Sequence, residues 1–155
     1  MAVFSSTDVS DDGNLVLGIL AGLVAAVLAA IAWAAITAAT NFQIGFMAIG
    51  VGFAVAFAVR FAGRGHDGRF AIASAILTVL GCALGNFLTV VVAVAAHDHA
   101  SYLDVFVGLA PRVVEVMGST FNIMDVVFYA IGAYFGYKYA TRPLRPRVVV
   151  PDPTP

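Results

Sequence analysis

The chain has 155 residues, of which 61% are hydrophobic and 11% charged, with a mean hydropathy of +0.96 and a formal net charge of −1. A soluble domain carries about 25% charged residues, and a chain this short cannot hide so much apolar side chain in one core, so lipid is the solvent this composition calls for. There is no basic block of the size a nucleic-acid surface needs.

Residues 1–14 are polar and acidic, with Asp8, Asp11 and Asp12. They lack the positive region of a cleavable leader, and the apolar run behind them is too long for one, so that run is expected to stay as a transmembrane helix. From Leu15 to Val59 there is no ionisable residue. One helix of that length would be roughly twice the ~30 Å hydrocarbon thickness. The chain must therefore turn back, and the polar cluster Thr40-Asn41-Phe42-Gln43 is where it can. That predicts span one over 15–38 and span two over 43–62.

Arg60 and the glycine-rich segment Gly63-Arg64-Gly65-His66-Asp67-Gly68-Arg69 mark a loop. Span three is predicted over 70–96, long enough to tilt or protrude. It holds the single cysteine, Cys82, which has no disulfide or metal partner in the sequence and reads as a small buried residue. Ser74, Thr78, Asn86 and Thr89 in the same span are of the type that hydrogen-bonds between helices. Span four is predicted over 122–140, and residues 141–155, rich in proline, form an extended cytoplasmic tail. Arg60, Arg64 and Arg69 flank one loop, and Lys138, Arg142, Arg145 and Arg147 follow span four. Basic residues mark the cytoplasmic side, and four spans put both groups there together with both termini.

Helices in lipid associate through close packing of small residues. Span one carries one at every fourth position, at Gly18, Gly22, Ala26, Ala30, Ala34 and Ala38. Span three offers Gly81 and Gly85, and span four Gly132 and Gly136. These faces are candidates for packing within the chain or for an oligomer or partner surface. Trp33 and Tyr129, Tyr134, Tyr137 and Tyr139 fit interfacial or packing positions.

The segment 97–121 has its own pattern. His97, Ser101, Asp104, Gly108, Arg112, Glu115 and Ser119 recur at spacings of four and three, which on a helix form one polar stripe. An amphipathic helix, bent at Pro111, is the expectation. Three roles fit: a helix lying at the outer membrane surface, a docking surface for a protein partner, or a re-entrant helix whose stripe lines a water path. Arg112 and Glu115 are spaced to pair. His97, Asp98 and His99 lack a thiolate or a helical histidine pair to complete a metal site, so no metal ligand is assigned. Asp125 is suspect as an intramembrane carboxylate, yet Asn122 as N-cap would make Asp125 a capping residue. No phosphate loop, nucleophile elbow or paired-carboxylate motif is present, and no catalytic residue or cofactor is expected.

Residues 33–52, Trp-Ala-Ala-Ile-Thr-Ala-Ala-Thr-Asn-Phe-Gln-Ile-Gly-Phe-Met-Ala-Ile-Gly-Val-Gly, and 128–138, Phe-Tyr-Ala-Ile-Gly-Ala-Tyr-Phe-Gly-Tyr-Lys, resemble stretches of a group of uncharacterised bacterial four-span proteins. Some members carry a zinc ribbon ahead of the membrane part, which these residues do not. The resemblance implies four spans in a bacterial inner membrane and carries no activity. The reading is therefore an all-α integral membrane four-helix bundle with an amphipathic interfacial helix between spans three and four. Its expected role is a non-enzymatic accessory subunit or scaffold, held in the bilayer with other membrane subunits or as a homo-oligomer. The alternative is a small oligomeric channel or transporter with His97, Asp104, Arg112, Glu115 and Asp125 near its path.

Overall fold

The computed structural model describes residues 13–40, 45–65 and 67–141, and these are almost wholly helical, without a strand among them. The elements are α1 (Leu15–Thr40), α2 (Met47–Gly63), α3 (Gly68–Asp98), α4 (Tyr102–Leu109), a 3-10 turn (Ala110–Arg112), α5 (Val113–Thr120) and α6 (Ile123–Ala140). α1 starts where the apolar run starts, and the Asn14 side chain accepts a hydrogen bond from the Leu17 N–H at 3.0 Å. α2 begins later than the predicted residue 43. Gly45 and Phe46 form a turn instead, with the Ala48 N–H bonded to the Gly45 carbonyl at 3.1 Å. Gly45 lies so close to the Phe128 ring that a β-carbon there would collide with it. The turn predicted at Asn41 to Gln43, the N-terminal segment before residue 13 and the proline-rich tail from residue 142 lie outside the described residues.

Interhelical contacts give the directions of the helices. Gly18 lies against Val59 and Gly63, and Ala26 lies level with Val51 across Gly81, so α1 and α2 are antiparallel. Gly18 also meets Phe70, Gly22 meets Leu77 and Trp33 meets Gly85, so α1 and α3 are parallel. α6 runs back along α3, with the Ser74 hydroxyl donating to the Gly136 carbonyl at 2.9 Å and the Asn86 amide to the Tyr129 hydroxyl at 3.0 Å. α2 and α3 touch each other, and α1 and α6 each pack on both of them. One end of the molecule therefore gathers the α2–α3 turn, with Arg60, Arg64 and Arg69. The far end gathers the start of α6, the α2 entry turn and α4–α5.

α1 and α3, with 26 and 31 residues, are long and apolar enough to cross a membrane. α4–α5 and α6 meet that criterion together only as one broken span, bent by 108°. α2 is shorter, with 17 residues. The large aliphatic side chains of α1 point outward, among them Val16, Leu20, Val24, Leu28 and Ile31, while Gly18, Gly22, Ala26, Ala30 and Ala34 are buried. This inversion of the soluble pattern is what a helix needs when lipid is outside and other helices are inside.

The segment after α3 departs from the predicted single helix. His99, at φ 52°, ends α3 in the left-handed region, and α4 begins after Ser101. His97 thus belongs to the last turn of α3 and not to the stripe of α4–α5. The second interruption falls at Pro111, which has no N–H to give the helical ladder, and here the chain tightens into the 3-10 turn. Arg112 leaves helical backbone geometry at φ −108° and ψ 18°. The expected Arg112–Glu115 pair is not formed: among the described residues the one close contact of a basic with an acidic side chain joins His97 and Asp98.

Candidate functional site

Most of the small-residue positions are filled from within the chain, while Ala38, the last of the α1 stripe, is exposed. The missing β-carbon of Gly22 leaves room for Val59 and Leu77, that of Gly81 for Val51 and Ala26, and that of Gly136 for the Thr78 hydroxyl. Gly132 packs on the Ala48 carbonyl, where a β-carbon would come within 2.6 Å. Ala30 is fully buried. The two other hydroxyls expected to bridge helices, those of Thr78 and Thr89, instead donate to the carbonyls of Ser74 and Gly85 in their own helix at 2.8 and 2.9 Å.

Trp33 follows this α1 face and lies against Gly85, where an added β-carbon would stand 3.1 Å from the ring. Only 2% of the residue is exposed, and its indole N–H is buried without an acceptor. Beside it opens a cavity of about 240 Å³, lined also by Gly45, Thr120, Asn122, Asp125 and Phe128. Two of these polar groups have local duties. The Thr120 hydroxyl donates to the Val116 carbonyl at 2.9 Å. The Asp125 carboxylate accepts the Asn122 N–H at 2.9 Å, closing the first turn of α6. A carboxylate has more lone pairs than this one bond uses, so the cavity offers one unmatched donor and spare acceptor capacity. One of its aromatic walls, Phe128, is held by an edge-to-face contact with Phe46, centroids 5.7 Å apart.

Of the five residues expected along a polar path, only Asp125 reaches this cavity. Asp104, Arg112 and Glu115 are exposed on α4–α5, and the His97 side chain is 87% exposed, its Nδ1 2.8 Å from Asp98. Among the described residues, no three histidine, cysteine or carboxylate side chains stand close enough to hold a metal ion. α4 and α5 contain no buried residue. Leu103, Val107 and Val114 are 74%, 68% and 84% exposed, and Phe106 rests edge-on against Phe87 of α3 at 5.7 Å. The segment is thus a thin layer, attached along one edge and apolar on its open face.

Sequence reasoning did not single out Trp33 as part of a site. The available signal was its place three and seven residues after Ala30 and Ala26, on the buried stripe rather than on the lipid side.

The other end is basic. Arg64, at φ 55°, terminates α2, its N–H bonded to the Arg60 carbonyl at 3.0 Å. Gly63 and Gly65 are pressed against the ring of Phe70. Arg60 is 8% exposed, with its Nε buried and unbonded. Arg64 and Arg69 are exposed and form no ion pair with a described residue. No family model matches the chain, and neither does any curated protein or solved structure.

Proposed function

We propose that this chain is a four-span integral membrane protein acting as a non-enzymatic accessory subunit, with α4–α5 as its contact layer on the outer side of a bacterial cytoplasmic membrane. α1 and α3 run parallel, so if both cross, the chain must recross between them, and α2 is the described segment that lies antiparallel along both. α6 then returns beside α3. The basic α2–α3 turn faces the cytoplasm by the distribution of arginine, and both termini lie on that side.

The observation that carries the accessory role is the contrast between the two kinds of apolar surface. Most of the small-residue positions that lipid-embedded helices use to associate, among them Gly22, Gly81, Gly132 and Gly136, are closed within the chain. α4–α5 is left with large apolar side chains open and a polar edge of Asp104, Arg112 and Glu115. A partner subunit or a second copy would cover that layer. A photo-crosslinking residue at Leu103 or Val114, activated in the host membrane, is expected to give one adduct of fixed mass, with native mass spectrometry recovering the same stoichiometry. Labelling of lipid alone at both positions would make α4–α5 a membrane-surface helix and end this reading.

The second reading, a channel or transporter formed by several copies, draws on the cavity at Trp33 and Asp125. Its test is flux in liposomes. Asp125→Asn should change conduction, and a wild-type protein that conducts nothing removes it.

A further inference from the structure

At the basic end, α1 and α3 leave between them an open groove of about 410 Å³, lined by Ile19 of α1 and by Arg69, Ile72, Ala73, Ile76 and Leu77 of α3. Five of the six walls are aliphatic. Arg69, Ile72 and Ile76 follow one another at spacings of three and four, so they share one face of α3. The guanidinium stands at one end of an aliphatic stripe about 7 Å long, at 1.5 Å per residue. Ile72 and Ile76 are 56% and 55% exposed, and Arg69 has no carboxylate partner among the described residues. Arg64, exposed in the same turn, adds a second positive charge.

The two halves of this groove ask for different chemistry. Its walls match hydrocarbon, and its mouth matches an anion with several acceptor oxygens, the geometry a guanidinium binds best. A single molecule that offers both within one or two helical turns is a phospholipid with an acidic headgroup. Basic pockets between membrane helices on the cytoplasmic side select such lipids. We propose that the α1–α3 groove binds one acyl chain of an anionic phospholipid, with Arg69 holding its phosphate and Arg64 reinforcing the charge. This rests on α1 and α3 lying in a membrane, and does not depend on what covers α4–α5.

Full-length protein in a neutral detergent would be mixed with equal amounts of phosphatidylglycerol and phosphatidylcholine of the same acyl chains, and bound lipid counted by native mass spectrometry. Wild type should retain phosphatidylglycerol preferentially. Since one arginine near a membrane surface contributes roughly a fivefold gain in binding anionic lipid, Arg69→Gln should cut the preference about fivefold. Arg69→Lys should keep most of it, and Arg112→Gln, at the far end, all of it. Excess inorganic phosphate should not displace the lipid, because it lacks the chain that the groove holds. Equal retention of the two lipids by wild type, an unchanged preference in Arg69→Gln, or displacement by phosphate would each overturn the proposal. Arg69 is exposed, so its loss does not disturb the core.

Discussion

Gly132 and Gly50 sit in helices that pack on each other, yet they answer to opposite constraints. A β-carbon at Gly132 would come within 2.6 Å of the Ala48 carbonyl, whereas at Gly50 nothing lies within 4 Å. Overpacking a close contact costs about 1–3 kcal/mol, while replacing a mid-helix glycine by alanine where space is open gains roughly 0.5–1 kcal/mol. Gly132→Ala should therefore lower the unfolding midpoint in detergent, followed by circular dichroism, and Gly50→Ala should hold or raise it. A Gly132→Ala protein as stable as wild type would show that α2 and α6 do not need their close approach. The buried Asn86–Tyr129 hydrogen bond makes a second residue-level case. Side-chain hydrogen bonds between membrane helices couple by about 0.6 kcal/mol on average. A double-mutant cycle of Asn86→Leu and Tyr129→Phe should return a value of that order, and zero coupling would leave the pair as a contact of shape alone.

At the scale of the element, α6 depends on its first turn. Asp125 bonds the Asn122 N–H, and its charge lies near the positive end of the helix dipole. Asp125→Ala should cost about 1 kcal/mol, as removal of a capping interaction does. Hydrogen exchange should show the loss concentrated at residues 123–127, and uniform exchange along α6 would place the role of Asp125 elsewhere. This cap was legible in the sequence, because Asn122 and Asp125 stand three apart just before an apolar run. So was the start of α1. Within residues 97–121 the bend at Pro111 was legible, because proline has no N–H for the helical ladder. The break at His99 was not, since spacing alone extends the polar stripe through His97, whereas the left-handed backbone at His99 ends α3. The small-residue faces were visible as faces only, since the same spacing serves a neighbour in the chain or a second copy. Trp33 was visible as a residue, but whether its indole N–H finds an acceptor depends on α2, α5 and α6, which no local pattern encodes.

At the scale of the whole molecule, the lengths of the helices set the sharpest demand. α2 and α6, with 17 and 18 residues, span only about 26 and 27 Å at 1.5 Å per residue, against a hydrocarbon thickness of ~30 Å. Both end at the basic end, with Arg60 and Lys138 in their last turns, and the Lys138 ammonium lies 5.3 Å from the Tyr134 ring centre. A long basic side chain such as Lys138, which is partly exposed, extends the reach of a short helix by drawing its charge to the interface. Parallel α1 and α3 require the chain to return between them, so a crossing by α1 and α3 entails one by α2. Reporter fusions at Arg64, Ser101 and Pro155 should then read inside, outside and inside. An outside reading at Pro155 with the other two unchanged would mean that α6 fails to cross and ends on the same side as α4–α5. The parallel α1–α3 pair would survive that result, but the pairing of both basic clusters on the cytoplasmic face would not. Reversal of all three readings would instead keep every helix in place and turn the α1–α3 groove, with Arg69 at its mouth, toward the outer leaflet.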